Sequence, residues 1–142
     1  MLTEFLYRQE LDIVCLQEVV NSDVVQIGGY NAYINLGRER RGTAILTREG
    51  MHVGQEKSTP SGRGIAIEIN KLWYINIYAP SGAEKKSERE AFYNTELLML
   101  IPASPVDLLL AGDFNCILHP ADSTASVPTS PMLGRMVTGL GL

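Results

Sequence analysis

Short apolar runs, each closed by a polar residue, set the rhythm of this chain. Leu2, Phe5 and Leu6 recur at helical spacing and predict an opening helix that turns at Gln9-Glu10. After Asp12, the run Ile13-Val14-Cys15-Leu16 is continuously apolar and is followed at once by Gln17-Glu18, which suits a strand buried on both faces. Residues 30–35 and 43–47 predict two further strands, separated by a charged turn over 37–42. The runs 64–70 and 73–79, rich in Ile and Tyr, predict a hairpin joined by Lys71-Leu72, with one partly solvated face.

A second helix is predicted after Ser87, which stands three residues before Glu90 in capping-box spacing. Phe92, Leu97, Leu98 and Ile101 would form its buried face, and Pro102 ends it. Residues 107–112 predict another short apolar strand, leading into Asp113-Phe114-Asn115. Beyond Cys116 the prolines Pro120, Pro128 and Pro131, with Ser and Thr between them, predict a surface loop, then a glycine-interrupted helix over 131–142. Strands mixed with helices argue an α/β class. The 142 residues suffice for one domain that buries roughly 68% of the surface its unfolded chain exposes.

Composition changes this picture in three respects. A net charge of −4 excludes a generally basic nucleic-acid coat, so any contact with phosphate is local. Such a locality exists, because Arg38, Arg40, Arg41, Arg48, Lys57 and Arg63 outnumber the acids Glu39, Glu49 and Glu56 in the same stretch. Cys15 and Cys116 stand apart from any Cys-x-x-Cys pattern, which argues against a zinc site and for reduced, packed thiols. The opening residues lack a signal-peptide pattern and no apolar run approaches the ~20 residues that span a bilayer, so an intracellular protein without a membrane partner, nuclear or cytoplasmic, is expected.

Two acids stand where apolar strands stop, Glu18 and Asp113. Each alone reads as the cap of a turn. As a pair at strand ends, where side chains converge on ligands in α/β sheets, they require a compensating cation. Mg²⁺ suits them, since it takes one or two carboxylates and leaves its other positions to water and phosphate; Mn²⁺ is an alternative.

The ordered strings Leu16-Gln17-Glu18, Gly42-Thr43-Ala44-Ile45-Leu46, Ile77-Tyr78-Ala79-Pro80 and Gly112-Asp113-Phe114-Asn115, with Asp122 further on, carry a specific resemblance. With them the chain resembles the DNase-I-like, apurinic-endonuclease-like members of the endonuclease/exonuclease/phosphatase superfamily. It is most similar to the endonuclease domain of LINE-type non-LTR retrotransposons, through Arg63, Ser87-Glu88-Arg89-Glu90 before Phe92-Tyr93, and Leu133-Gly134-Arg135 with Leu140-Gly141-Leu142. The resemblance spans the whole chain and implies an incomplete four-layer α/β sandwich, two packed β-sheets flanked by helices.

The resemblance also implies roles. Glu18 would be the metal ligand; Asp113 would orient and deprotonate the attacking water; Asn115 would hydrogen-bond that water or a phosphoryl oxygen. Tyr78 would donate to the scissile phosphate, with Asp122 in a supporting position. Arg38, Arg40, Arg41 and Arg63 would meet the DNA backbone, which asks for cations without base reading. Complete relatives nick DNA and are in some cases fused to a reverse transcriptase. The family's first-strand Asn and final Ser-Asp-His fall outside residues 1–142, which implies a single partial domain, lacking the first strand and the C-terminal strands, with impaired activity of its own. A phosphatase of the same superfamily and a non-catalytic binding module are the alternative functions.

Overall fold

Inward-facing β-branched residues, alternating with residues of the opposite face, sort the strands into two sheets. The structure, a computed structural model, describes residues 2–38, 41–104, 106–124 and 129–141, with the backbone alone at Val24. Within them β1 (Ile13–Val19), β2 (Tyr30–Asn35) and β3 (Gly42–Arg48) form an antiparallel sheet in the order β1-β3-β2. β4 (Gln55–Ser58), β5 (Gly64–Ile69), β6 (Leu72–Tyr78) and β7 (Leu108–Asp113) form the second sheet in sequence order. β7 runs parallel to β6, as a crossover connection requires, and the helices α2 (Lys86–Asn94) and α3 (Glu96–Leu100) supply that crossover.

The period of two decides which layer each side chain enters. Ile45, Ile65, Ile67 and Ile69 fill the space between the sheets, with Ile13, Cys15 and Tyr74 packed against them. One residue out of phase, Ala44 and Leu46 turn to the outer face and pack with Leu6 of α1 (Leu2–Gln9). On the far side Trp73, Ile75 and Ile77 meet Phe92, Tyr93, Leu97 and Leu100, together with Leu133 and Met136 of α4 (Pro131–Leu140). The result is helix, sheet, sheet, helix, the expected four layers. Each fully buried aliphatic side chain contributes roughly 1.5–3 kcal/mol.

Several boundaries differ from expectation. β1 does not stop at Leu16 but continues through Glu18 to Val19, because a break in register between Leu16 and Val19 accommodates an extra residue. The hairpin turns at Asn70-Lys71, both at positive φ (52° and 68°), rather than at Lys71-Leu72, since Leu72 already pairs with Ile69. Ser87 caps nothing: the 3-10 turn Ala83–Lys85 runs straight into α2, so the chain is helical before Ser87 is reached.

The second helix is two. Thr95 (φ −124°, ψ −73°) separates α2 from α3, its hydroxyl donating back to the Ala91 carbonyl at 2.7 Å. Beyond this break Leu98 faces solvent, 46% exposed, while Leu97 and Leu100 take the buried positions. β4 escaped prediction because Gln55-Glu56-Lys57-Ser58 is polar throughout. It is a charged edge strand, and Lys57 sits 5.0 Å over the Trp73 ring.

Candidate active site at the strand ends

Glu18 reaches the site through backbone irregularity. In a regular strand Gln17 and Glu18 would face opposite sides. The bulge, with Glu18 at φ 57°, lets Gln17 hydrogen-bond Asn76 of β6 while Glu18 meets Tyr78 of the same strand. Left-handed backbone is costly for a side chain larger than glycine, and such strain persists where surrounding contacts hold it.

Tyr78 ends β6, buried at 4% exposure, and its O–H donates to Glu18 Oε1 at 3.0 Å. Burial, and after it the Glu18 carboxylate, push its phenol up from the ordinary value, opposed by a hydrogen bond from Ser81 and the charge of Arg41. The phenol is therefore a fixed proton donor across the neutral range. Arg63 braces it from behind: its guanidinium lies 5.4 Å from the Tyr78 ring centre and donates from Nη1 to the Tyr78 carbonyl at 3.3 Å.

Asp113 is the register partner of Tyr78 across the parallel β6–β7 pair, so both occupy the same end of the sheet. Gly112 before it is obligatory, because at φ 129° a Cβ would lie 2.0 Å from the Ile77 carbonyl oxygen. Asp113 Oδ1 accepts from the Asn115 amide at 2.9 Å. In an extended segment Asn115 would share a face with Asp113 through i, i+2 geometry. Its φ of 49° instead turns the chain, and its Nδ2 donates to the Ala79 carbonyl at 2.7 Å. Glu18, Tyr78, Asp113 and Asn115 are thus assembled from two sheets at one end of the sandwich.

The remaining expected residues have separate settings. Arg38 and Arg41 are exposed on the loop between β2 and β3, and Arg40 lies outside the described residues. Arg63 is 8% exposed, a buried support of Tyr78 rather than a surface cation. Arg38 and Arg63 border a groove of about 320 Å³ with Ser61, Pro80, Glu88 and Glu96. Asp122 accepts from the His119 amide at 2.9 Å and closes the 3-10 turn Pro120–Asp122, so its carboxylate serves its own loop.

Sequence reasoning passed over Gln17, Asn76 and the role of Arg89. Asn76 stands as an amide inside the apolar run Ile75-Asn76-Ile77, and that interruption was the available signal. Arg89, 1% exposed, donates from Nη1 to the carbonyls of Pro80 (2.9 Å) and Gly82 (3.1 Å), which fixes the loop carrying Ser81.

Glu18 and Asp113 carry hard carboxylate oxygens, the donor type that divalent ions such as Mg²⁺ take. Among the described residues no cluster of three or more His, Cys, Asp or Glu could hold a metal, and an ion at these two carboxylates would need most of its ligands from water or phosphate. That is the habit of Mg²⁺.

Two sheets face to face, flanked by helices, with acids and a phenol at the strand ends, define a four-layer α/β sandwich. Residues 1–139 match the endonuclease/exonuclease/phosphatase family, and the chain belongs to it. Recombination repair protein 1 of Drosophila melanogaster is 29% identical over 130 residues, covering 80% of this chain and 19% of that protein. The exodeoxyribonuclease of Bacillus subtilis is 28% identical over 127 residues, covering 78% of this chain and 50% of its own length. Among solved structures an AP endonuclease from Archaeoglobus fulgidus superposes with a TM-score of 0.75 at 19% identity, over 99% of this chain and 63% of that one. Truncated Caenorhabditis elegans TDP2 gives 0.62 at 20% identity, over 89% and 57%. The chain spans half or less of the curated relatives' lengths. Among the described residues no helix is long and apolar enough to cross a membrane.

Proposed function

We propose that this chain contributes the metal-binding and water-activating half of a Mg²⁺-dependent DNA-nicking endonuclease, of the type found in retrotransposons fused to a reverse transcriptase. The observation that carries the reading is the Tyr78–Glu18 hydrogen bond of 3.0 Å, with Asp113 paired in register to Tyr78. Glu18 would hold the ion. A bound Mg²⁺, or Mn²⁺ in its place, would supply positive charge against a phosphate oxygen. Asp113, one oxygen held by the Asn115 amide, orients and deprotonates water. Tyr78 donates to the phosphate as its oxygens gain charge. Asn115 adds a hydrogen bond to the water or to a phosphoryl oxygen, and the exposed Arg38 and Arg41, with Arg40 beside them in sequence, meet the DNA backbone. The retrotransposon type rests on the sequence strings that set this chain beside LINE endonucleases.

Two measurements test the reading. Calorimetry should show Mn²⁺ binding by the wild-type chain that is lost in Glu18→Gln; identical heats in both would remove Glu18 as ligand. A chimaera in which this chain replaces the matching segment of the Bacillus subtilis relative should nick supercoiled plasmid with Mg²⁺. Asp113→Asn should abolish that nicking, and retained activity would exclude Asp113 from the mechanism.

A further inference from the structure

We propose that Asn76 is a positioning residue, fixing the bulged segment of β1 so that the Glu18 carboxylate stays within reach of Tyr78; the inference rests on the reading of Glu18 as the metal ligand. Asn76 is fully buried, and its amide is fully engaged across the gap between the sheets. Its Nδ2 donates to the carbonyls of Leu16 and Ala44, both at 2.9 Å, and its Oδ1 accepts from Gln17 Nε2 at 2.6 Å. Leu16 and Ala44 are themselves register partners in β1 and β3, so one side chain grips both strands where the pairing is about to break.

The geometry closes a ring. Asn76 and Tyr78 are two residues apart on one face of β6. Gln17 and Glu18 are adjacent in β1. Asn76 meets Gln17, and Tyr78 meets Glu18. With its φ of 57°, Glu18 sits in a conformation that its own backbone does not favour, so something outside the residue must hold it. An apolar residue at position 76 would fill the same space but remove the bonds to the Leu16 and Ala44 carbonyls and to the Gln17 side-chain amide, and the bulge would be free to relax. The partners of metal-ligating residues act in this way, and their loss costs ~10–100-fold in metal affinity.

The test uses the whole chain and Mn²⁺ as the probe. Asn76→Asp keeps an acceptor for Gln17 and removes both donors. It should weaken Mn²⁺ binding ~10–100-fold, and its crystal structure should show the Glu18–Tyr78 hydrogen bond broken. In a Glu18→Gln background the same change should add no further loss. Ile67→Val, which loosens the apolar part of the same gap, serves as the control and should leave Mn²⁺ affinity unchanged. An unaltered affinity with an intact Glu18–Tyr78 contact in Asn76→Asp, or an equal loss in Ile67→Val, would overturn the proposal. Should Asn76→Asp fail to fold, Gln17→Met carries the test, removing one of the three bonds; a weaker loss in the same direction supports the role, and no change refutes it. If the wild-type chain binds no Mn²⁺, the metal reading falls. The positioning role is then decided by the Glu18–Tyr78 separation alone.

Discussion

The space between the two sheets has an apolar half and a polar half, built from the same strands. β1 contributes Ile13 and Cys15 to the first and Gln17 and Glu18 to the second; β6 contributes Tyr74 to the first and Asn76 and Tyr78 to the second. In the apolar half, contact is non-directional, and the strands keep regular register. In the polar half, hydrogen bonds of fixed length hold a bulge and a left-handed residue in place. Burial therefore secures the fold at one end, and directional bonds secure the geometry of the site at the other.

The largest expected effect lies in the apolar half. Ile67 is fully buried among Ile45, Ile65 and Ile69, and truncation leaves a cavity that a two-sheet core closes poorly. Ile67→Ala should lose about 2–5 kcal/mol in urea denaturation, while the Mn²⁺ affinity of the remaining folded protein stays unchanged. A shift in affinity as large as that of Asn76→Asp would erase the distinction between the halves.

An intermediate effect is expected with pH. Burial pushes the Cys15 thiol from 9.0 up to about 11. Between these values the unfolded chain has released its proton and the folded chain has not, so unfolding is favoured as pH rises. The contribution is intact below 9.0, declines through this window and is lost above about 11. It amounts to about 2–3 kcal/mol. Urea midpoints on either side of the window should fall for the wild type and fall less for Cys15→Ala. The residual slope belongs to Cys116, Tyr78 and Tyr93, whose thiol and phenols burial also raises. A wild-type midpoint that stays level across the window would show that water reaches Cys15.

This division also explains what was legible in the sequence. The apolar half announces itself in runs such as Ile13-Val14-Cys15-Leu16 and in the isoleucines of β5, because burial leaves a compositional trace. The acids Glu18 and Asp113, with Tyr78, were legible as strings at strand ends. The bulge left no such trace, since φ at Glu18 is set by partners 60 residues away in β6. Arg63 illustrates the opposite failure: a cation beside a turn reads as surface, whereas the Tyr78 ring and carbonyl take part in holding it buried. β4 was missed because an exposed edge strand needs no apolar residue at all.

The smallest effect on stability should come from Tyr78→Phe. The substitution removes one hydrogen bond, 3.0 Å to an exposed carboxylate that water can solvate in its place, and keeps the ring against Arg63. Its cost in urea denaturation should be about 0.5–1.5 kcal/mol, the bottom of this series. Function should respond on another scale. A fixed donor aimed at oxygens that gain charge in the transition state is worth about 10²–10³ in rate, so nicking by the Tyr78→Phe chimaera should fall by that factor with the melting transition nearly in place. The ratio of the two effects separates geometry from burial at this site. Loss of nicking in proportion to loss of stability would instead make Tyr78 a packing residue, and the polar half of the gap would then hold the fold in the same manner as the apolar half.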